Sequence, residues 1–327
     1  MIALKSIDVS DWAGDRGEEV VGQMQRLQAE LQSAFAVARE ATLAALPAEL
    51  PEVDLVDAAV DLVSWRLTWL ELDNLLRTTF YGEAERTRQE VIDDYLAWFA
   101  GRLSLDDAQW DTLQQRLTPL ASADAASKAF DPGALWAAAK AGVQNLIGSV
   151  TSALTTWMDL AAISGGQSVF DAIGLGISFT LPDQRAIDFL KEYALSFSER
   201  TARGSEEKIR KVLLAGLAKG RSAAETATEI EAAHETLHRF ESERIARTEI
   251  IRAHAEGQLS ALRELEVQQK TWTATEDERT CSVCGPRDGQ VYAIDDDTVS
   301  IPAHPGCRCT WDLGEDEFER LRAELLG

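Results

Sequence analysis

The sequence predicts a mainly α chain: a helical N-terminal domain and a helical bundle, followed by a small zinc-stabilised α+β module at the C-terminal end. Three observations carry that expectation. Apolar residues recur at three- and four-residue spacing through most of the first 270 positions, the period of one helix face. Strand-like segments appear only late, at Thr271–Thr275, Gln290–Ile294 and Thr310–Leu313. All four cysteines lie between positions 281 and 309, in two close pairs.

The elements follow in order. Val20, Met24, Leu27, Leu31 and Phe35 share one helical face. Pro47 and Pro51 end that helix, because proline has no backbone N–H and its ring clashes with the preceding turn. A second helix is expected from Val53 to Phe80, with Leu55, Leu62, Trp65, Trp69, Leu72 and Leu76 on its apolar side and Gly82 at its end. Tyr95, Trp98 and Phe99 anchor the next helix. Asp106 and Asp107 open another, where acids suit the positive end of the helix dipole. The tryptophans read as core packing, and residues 1–140 read as one helical domain.

Residues 141–182 have a different texture. The stretch Ala141–Met158 carries no charge, and Asp159 and Asp171 are the only charged residues before Pro182. A membrane-spanning helix needs about 20 mostly apolar residues. Gln144, Asn145, Ser149, Thr151, Ser152, Thr155 and Thr156 would each be costly in hydrocarbon. The expectation is therefore a buried helix, with Leu146, Ile147, Val150, Leu154 and Trp157 inward, and membrane contact is the lesser reading. Gly165, Gly166, Gly174 and Gly176 are expected to break the pattern into a connector.

Residues 183–270 form the helical bundle. Ile187, Leu190, Tyr193 and Ala194 give one helix, and a second starts near Ser205–Glu207 with Ile209, Val212, Leu213 and Leu217 inward. Gly220 stops it. Ser222 and Glu225 make a capping box, each side chain satisfying an orphan backbone donor. A last long helix runs from about Glu241 to Gln268, with Ile245, Ile250, Ile251, Leu259, Leu262 and Leu265 as core contacts. Residues 271–327 then make the Cys/His-rich β module with a C-terminal helix.

Charge excludes one function class. The chain has 327 residues, 32 Lys and Arg against 55 Asp and Glu, and a formal charge of −23. Nucleic-acid affinity depends on basic residues displacing counterions, so wrapping of DNA over the whole surface is ruled out. The acids are unevenly placed: residues 1–140 hold 24 acids and 12 bases, and residues 271–327 hold 13 and 5. Residues 183–270, with 16 and 15, are the only long charged block able to approach a polyanion. No apolar run follows Lys5, so no signal peptide is expected. The clustered cysteines do not resemble a secreted disulfide framework.

The chemistry concentrates at the cysteines. Cys281 and Cys284 form a C-x-x-C pair, and Cys307 and Cys309 a C-x-C pair just after His304. A C-x-x-C turn lets two thiolates approach one zinc ion at about 2.3 Å, and a second pair completes a tetrahedron. Five candidates, Cys281, Cys284, His304, Cys307 and Cys309, compete for four positions. Four thiolates are the favoured set, with His304 as substitute or outer partner, because sulfur is the softer donor and Pro305 restricts the backbone after His304. The alternatives are two disulfides or thiols without a ligand. A catalytic zinc keeps an open position and a base nearby. Five donors crowded into one small module instead imply a closed, structural site with one ion per chain.

The order of these residues is recognisable. Ile245–Glu249, Ala253, Gly257, Trp272, Asp277–Arg279, the first cysteine pair, Gly289, and the run from Pro302 through His304, Pro305 and Gly306 to Cys307–Arg308–Cys309 together resemble the head-morphogenesis family of tailed phages. Those are minor capsid proteins of the type found as the F protein of phage Mu. The resemblance covers roughly residues 185–315. It implies a structural protein rather than an enzyme, built into the virion head in few copies near the portal. Its partners would be portal or major capsid protein, and packaged DNA, with no small-molecule substrate. It would act in procapsid assembly in the host cytoplasm, and ejection with the DNA would be a further role.

Two other classes stand beside that reading. One is a phage-borne effector or toxin joined to a packaging domain of this kind. Its active part would have to occupy residues 1–140, which contain no His and no Cys. The other is a zinc-knuckle nucleic-acid-binding protein using Arg279, Arg287 and Arg308, but Asp288 and Asp295–Asp297 make the local field acidic. Arg247 and Glu249 superficially suggest a transferase site. Residues two apart on a helix point about 200° apart, so separate salt bridges are expected, for example from Arg247 to Asp277.

Overall fold

A computed structural model describes residues 17–50, 53–81, 83–122, 134–180, 184–236, 241–275 and 277–326. Of the sequence expectations, Pro51, Gly82 and Pro182 fall outside these residues, as does the side chain of Leu76. The described chain is mainly helical, with one small antiparallel sheet near its C-terminal end.

Helix α1 spans Gly17–Ala45 and stops just before Pro47. Helix α2 (Leu55–Leu67) starts where the Asp54 carboxylate accepts from the backbone N–H groups of Val56 and Asp57, at 2.8 and 3.1 Å. The single helix expected over 53–80 is in fact two, because α3 begins afresh at Leu70 and runs to Tyr81. At the break the backbone bonds tighten to three residues back, from the Thr68 N–H to the Trp65 carbonyl at 3.1 Å and from the Trp69 N–H to the Arg66 carbonyl at 3.4 Å, and Thr68 adds a side-chain bond. Its hydroxyl donates to the Trp65 carbonyl at 2.7 Å, a local bond that competes with the helical ladder. Helix α4 (Arg88–Ala100) carries a Thr87/Glu90 capping box, and α5 (Asp107–Leu117) the matching Asp106/Gln109 box. Helices α6 (Ala134–Val143), α7 (Leu146–Ile173), α8 (Gln184–Ala218), α9 (Ala223–Thr236) and α10 (Ser242–Glu264) follow. Strands β1 (Gln269–Thr273), β2 (Val291–Ala293) and β3 (Thr310–Asp312) and helix α11 (Glu315–Leu326) complete the order.

Two further expectations are corrected. Helix α7 runs unbroken through Gly165 and Gly166, and only Gly174, in the left-handed region at φ +80°, closes it. Ser205 starts no helix: it lies inside α8, where its hydroxyl donates back to the Thr201 carbonyl at 2.9 Å. The Ser222/Glu225 box is present at the start of α9, with the Ser222 N–H donating to the Glu225 carboxylate at 2.8 Å.

The chain forms two compact units, each assembled from separated segments. One comprises residues 34–148 and 196–238. Its core joins Val56, Leu62, Val63, Ile92, Phe99, Leu113 and Leu117 to Trp136, Ile209, Leu213 and Ile230. Charged groups are buried in it as a paired network. Arg210, 3% exposed, lies between the rings of Trp65 and Trp136, held by Glu206 at 2.7 Å and facing Asp61 at 3.6 Å. Arg66 lies over Trp69 and pairs with Asp73 at 3.0 Å and Glu207 at 3.4 Å.

The same unit contains a buried neutral imidazole. His234, 2% exposed, donates from Nε2 to the Thr42 hydroxyl at 3.3 Å, since that hydroxyl gives its own proton to the Ala38 carbonyl at 2.8 Å. Burial, and then the nearby Arg39 charge, push His234 down from 6.5 to about 4. The unfolded chain therefore takes up this proton at a higher pH than the folded one. Stability from this group is complete above 6.5 and falls as pH drops towards 4, a loss of about 3 kcal/mol at most. Urea midpoints at pH 7.5 and 4.5 are expected to differ less in His234→Gln than in wild type, and equal differences would contradict this origin.

The other unit comprises residues 1–33, 149–195 and 239–327. Here α7 and α10 touch backbone to backbone. A Cβ on Gly257 would lie 1.8 Å from the Ala162 carbonyl oxygen, and one on Gly165 would lie 2.0 Å from that of His254. Of the glycines read as helix breakers, Gly165 and Gly166 are thus contact points where only hydrogen fits, the second against the Phe179 ring. Of the five residues expected to face inward, Leu146, Val150 and Leu154 are buried, while Ile147 and Trp157 are half-buried. Among the described residues, 136–173 is the one helical stretch long and apolar enough to cross a membrane. Val150, Leu154, Met158, Ala161, Ala162 and Phe170 are spent on the protein interior.

Candidate metal centre

The C-terminal module is built on the sheet, in the order β2-β1-β3, all antiparallel. Alternation along β1 puts Lys270 and Trp272 on the buried face. Trp272 lies opposite Trp311 of β3 in the register, and the two rings meet edge to face at 5.3 Å. Both tryptophans are buried, so this small module has its own aromatic core.

The first cysteine pair lies on the connection from β1 to β2, ahead of the short helical turn Gly285–Arg287. The Gly285 N–H donates to the Cys281 carbonyl at 3.0 Å, and the Cys284 N–H points at Cys281 Sγ at 3.3 Å. The second pair enters β3. Gly306, at φ +74°, gives the left-handed turn that returns the Cys307 N–H to the His304 carbonyl at 3.1 Å.

The five residues singled out in the sequence come together. Cys281, Cys284 and His304 form one group whose ligand atoms lie within 4.8 Å of one another, and Cys284, Cys307 and Cys309 form a second. Cys284 belongs to both. His304 Nε2 is 3.1 Å from Cys281 Sγ and 3.2 Å from Cys284 Sγ, and Cys284 Sγ is 3.8 Å from Cys307 Sγ. Two sulfurs each about 2.3 Å from one tetrahedral zinc would stand at a separation of this size. His304 Nδ1 lies 3.0 Å from the Pro305 carbonyl, the partner that fixes the tautomer with its Nε2 lone pair free to bind. A cavity of about 30 Å³ is lined by Cys281, Cys284, His304 and Cys309.

All four cysteines are free thiols. Hydrogen bonds from Cys284 and Cys309 hold Cys307 well below the usual thiol range, and the bond to Cys307 pushes Cys284 above it. Cysteine sulfur is the donor that a soft or borderline cation prefers, and Cys284, Cys307 and Cys309 lie together and buried. The residues present fit a metal ion.

The neighbouring charged residues are already engaged. Arg308, 8% exposed, grips the Asp277 carboxylate with both nitrogens at 2.7 and 2.5 Å and holds that carboxyl well below its ordinary range. Asp277 is thus taken by Arg308, with Arg279 at 3.6 Å, and the expected bridge from Arg247 is replaced by an intrahelical pair with Glu243 at 3.0 Å. Glu249 pairs separately with Arg252 at 3.2 Å. Arg287 lies over the Trp272 ring at 5.2 Å. Sequence reasoning missed Thr248 and Gln258, which reach the module from α10: the Gly306 N–H donates to Thr248 Oγ1 at 3.0 Å, and the Thr310 hydroxyl to Gln258 Oε1 at 2.9 Å.

Fold and site together define a helical protein that ends in a metal-fit cysteine module. Residues 207–311 match the family profile described as phage Mu protein F like protein, which bears out the head-morphogenesis resemblance over about a third of the chain. The match runs from α8 to β3 and contains all five candidate ligands. No curated protein and no solved structure matches the chain.

Proposed function

We propose that the protein is a minor capsid protein of a tailed phage or prophage, acting in procapsid assembly near the portal. The observation that carries this reading is the family match over 207–311, with the whole cysteine cluster inside it. The role is structural, without turnover, performed in the host cytoplasm and then inside the virion head, with departure alongside the DNA as its last step. Portal or major capsid protein is the partner. The acidic block 1–140 favours a basic surface on that partner, an attraction that speeds association at low salt.

One Zn²⁺ per chain is the proposed cofactor, and it is structural. Cys281, Cys284 and His304 supply three ligands and the Cys307/Cys309 pair the fourth. His304 takes a ligand's place because its Nε2 faces two thiols while Nδ1 is occupied at Pro305. When bound, the ion staples two loops that the short sheet alone holds weakly. A zinc-knuckle role on nucleic acid is disfavoured, because Arg308 and Arg287 are committed to Asp277 and Trp272.

Co-purification decides the role. Tagged protein expressed with the other head genes of its own phage is expected to bring down portal or major capsid protein, more strongly at low salt. Absence from virions and from all head proteins would overturn this reading and favour the effector alternative.

A further inference from the structure

Two segments reach the loop that carries His304, Cys307 and Cys309: helix α10, through Thr248 and Gln258, and the turn after β1, through Asp277. The Gly306 N–H donates to Thr248 Oγ1 at 3.0 Å. That hydroxyl spends its own proton on the Arg244 carbonyl at 2.7 Å, which leaves its lone pairs for the loop. Arg308, placed between the two cysteines, forks onto Asp277, four residues ahead of Cys281. At the loop's end the Thr310 hydroxyl and the Trp311 N–H both donate to Gln258 Oε1, at 2.9 and 3.2 Å. Every contact acts on the loop backbone or on a residue beside a ligand.

A ligand loop that must be ordered when the ion arrives loses affinity to that ordering, whereas a loop already held does not. Outer partners of metal ligands act in this way. Thr248 lies on α10 and Asp277 in the turn after β1. We infer that Thr248 and Asp277 are positioning residues of the metal centre: they hold the 304–309 loop in its binding geometry and thereby set the affinity for the ion. The inference rests on the metal reading proposed above. It connects the helix at 245–249 and the turn at 277–279 to one task.

The full chain, stripped of metal under reducing conditions, is titrated with Zn²⁺ against a chromophoric chelator, and separately with Co²⁺. Thr248→Val and Asp277→Asn are each expected to weaken Zn²⁺ binding by about 10- to 100-fold. Thr248→Ser, which keeps the acceptor, is expected to bind like wild type. The Co²⁺ thiolate bands of the loaded variants stay as in wild type, because the ligands are unchanged. Thr248→Val and Asp277→Asn binding Zn²⁺ as tightly as wild type would overturn the inference, even if both melt at lower temperature. Wild type that binds neither ion overturns the metal reading, and this inference with it.

Discussion

Replacing Cys284 by Ser is expected to unfold residues 269–313 while leaving the helical unit of residues 34–148 and 196–238 folded. Cys284 is the one donor common to both groups, so no alternative set of four ligands survives its loss without a neighbour moving. The sheet has only three strands of three to five residues, the fewest that give a sheet independent stability. Structural zinc contributes on the order of 10 kcal/mol to folding in units of this size. Two probes report the event directly: Trp272 and Trp311, both buried and in edge-to-face contact, should become solvent-exposed. Their fluorescence should shift red and the near-ultraviolet circular dichroism should weaken, while the far-ultraviolet helical signal is largely kept. A chelator added to wild type should do the same. An unchanged near-ultraviolet spectrum in both experiments would show that packing alone holds the module.

Asp61→Ala is expected to cost about 3–5 kcal/mol, the loss typical when one partner of a buried charge network is removed. Asp61 is 6% exposed, accepts from the Trp136 indole at 2.6 Å and balances Arg210 at 3.6 Å. Its removal leaves the indole N–H without this acceptor and shifts the balance of a buried guanidinium. Asp61→Asn keeps an acceptor for Trp136 and should cost less. Denaturant midpoints give the ranking, and an Asp61→Ala midpoint equal to wild type would show that Glu206 alone suffices for Arg210.

Local signals in the sequence were read well, and distant ones were not. The strand positions, the Ser222 and Asp106 helix starts and the cysteine pairs depend on residues within a few positions of each other, and all are present. Gly165 and Gly166 were misread because glycine marks both a break and a close approach. Only the position of α10, some 90 residues later, makes Gly165 a contact, and only the Phe179 ring makes Gly166 one. The break at Thr68 and Trp69 is made by backbone bonds to carbonyls three residues back, which periodicity does not register. Asp61, Arg66 and Arg210 sit within apolar helix faces, and that misplacement was the available sign of the buried network. The Arg308–Asp277 grip crosses 31 residues of chain, a distance at which no local pattern points to Arg308 over Arg247. Thr248 lies in the Ile245–Glu249 run that carries the resemblance, but its partner, a backbone N–H in a loop 58 residues away, has no local signal.

The most direct measurement is the zinc content and free-thiol count of the full chain purified under reducing conditions without added metal. About one zinc per chain is expected, with all four cysteines recovered as thiols once the protein is unfolded with chelator. A zinc content near zero, or cysteines joined in disulfides, would contradict a metal-stapled C-terminal module.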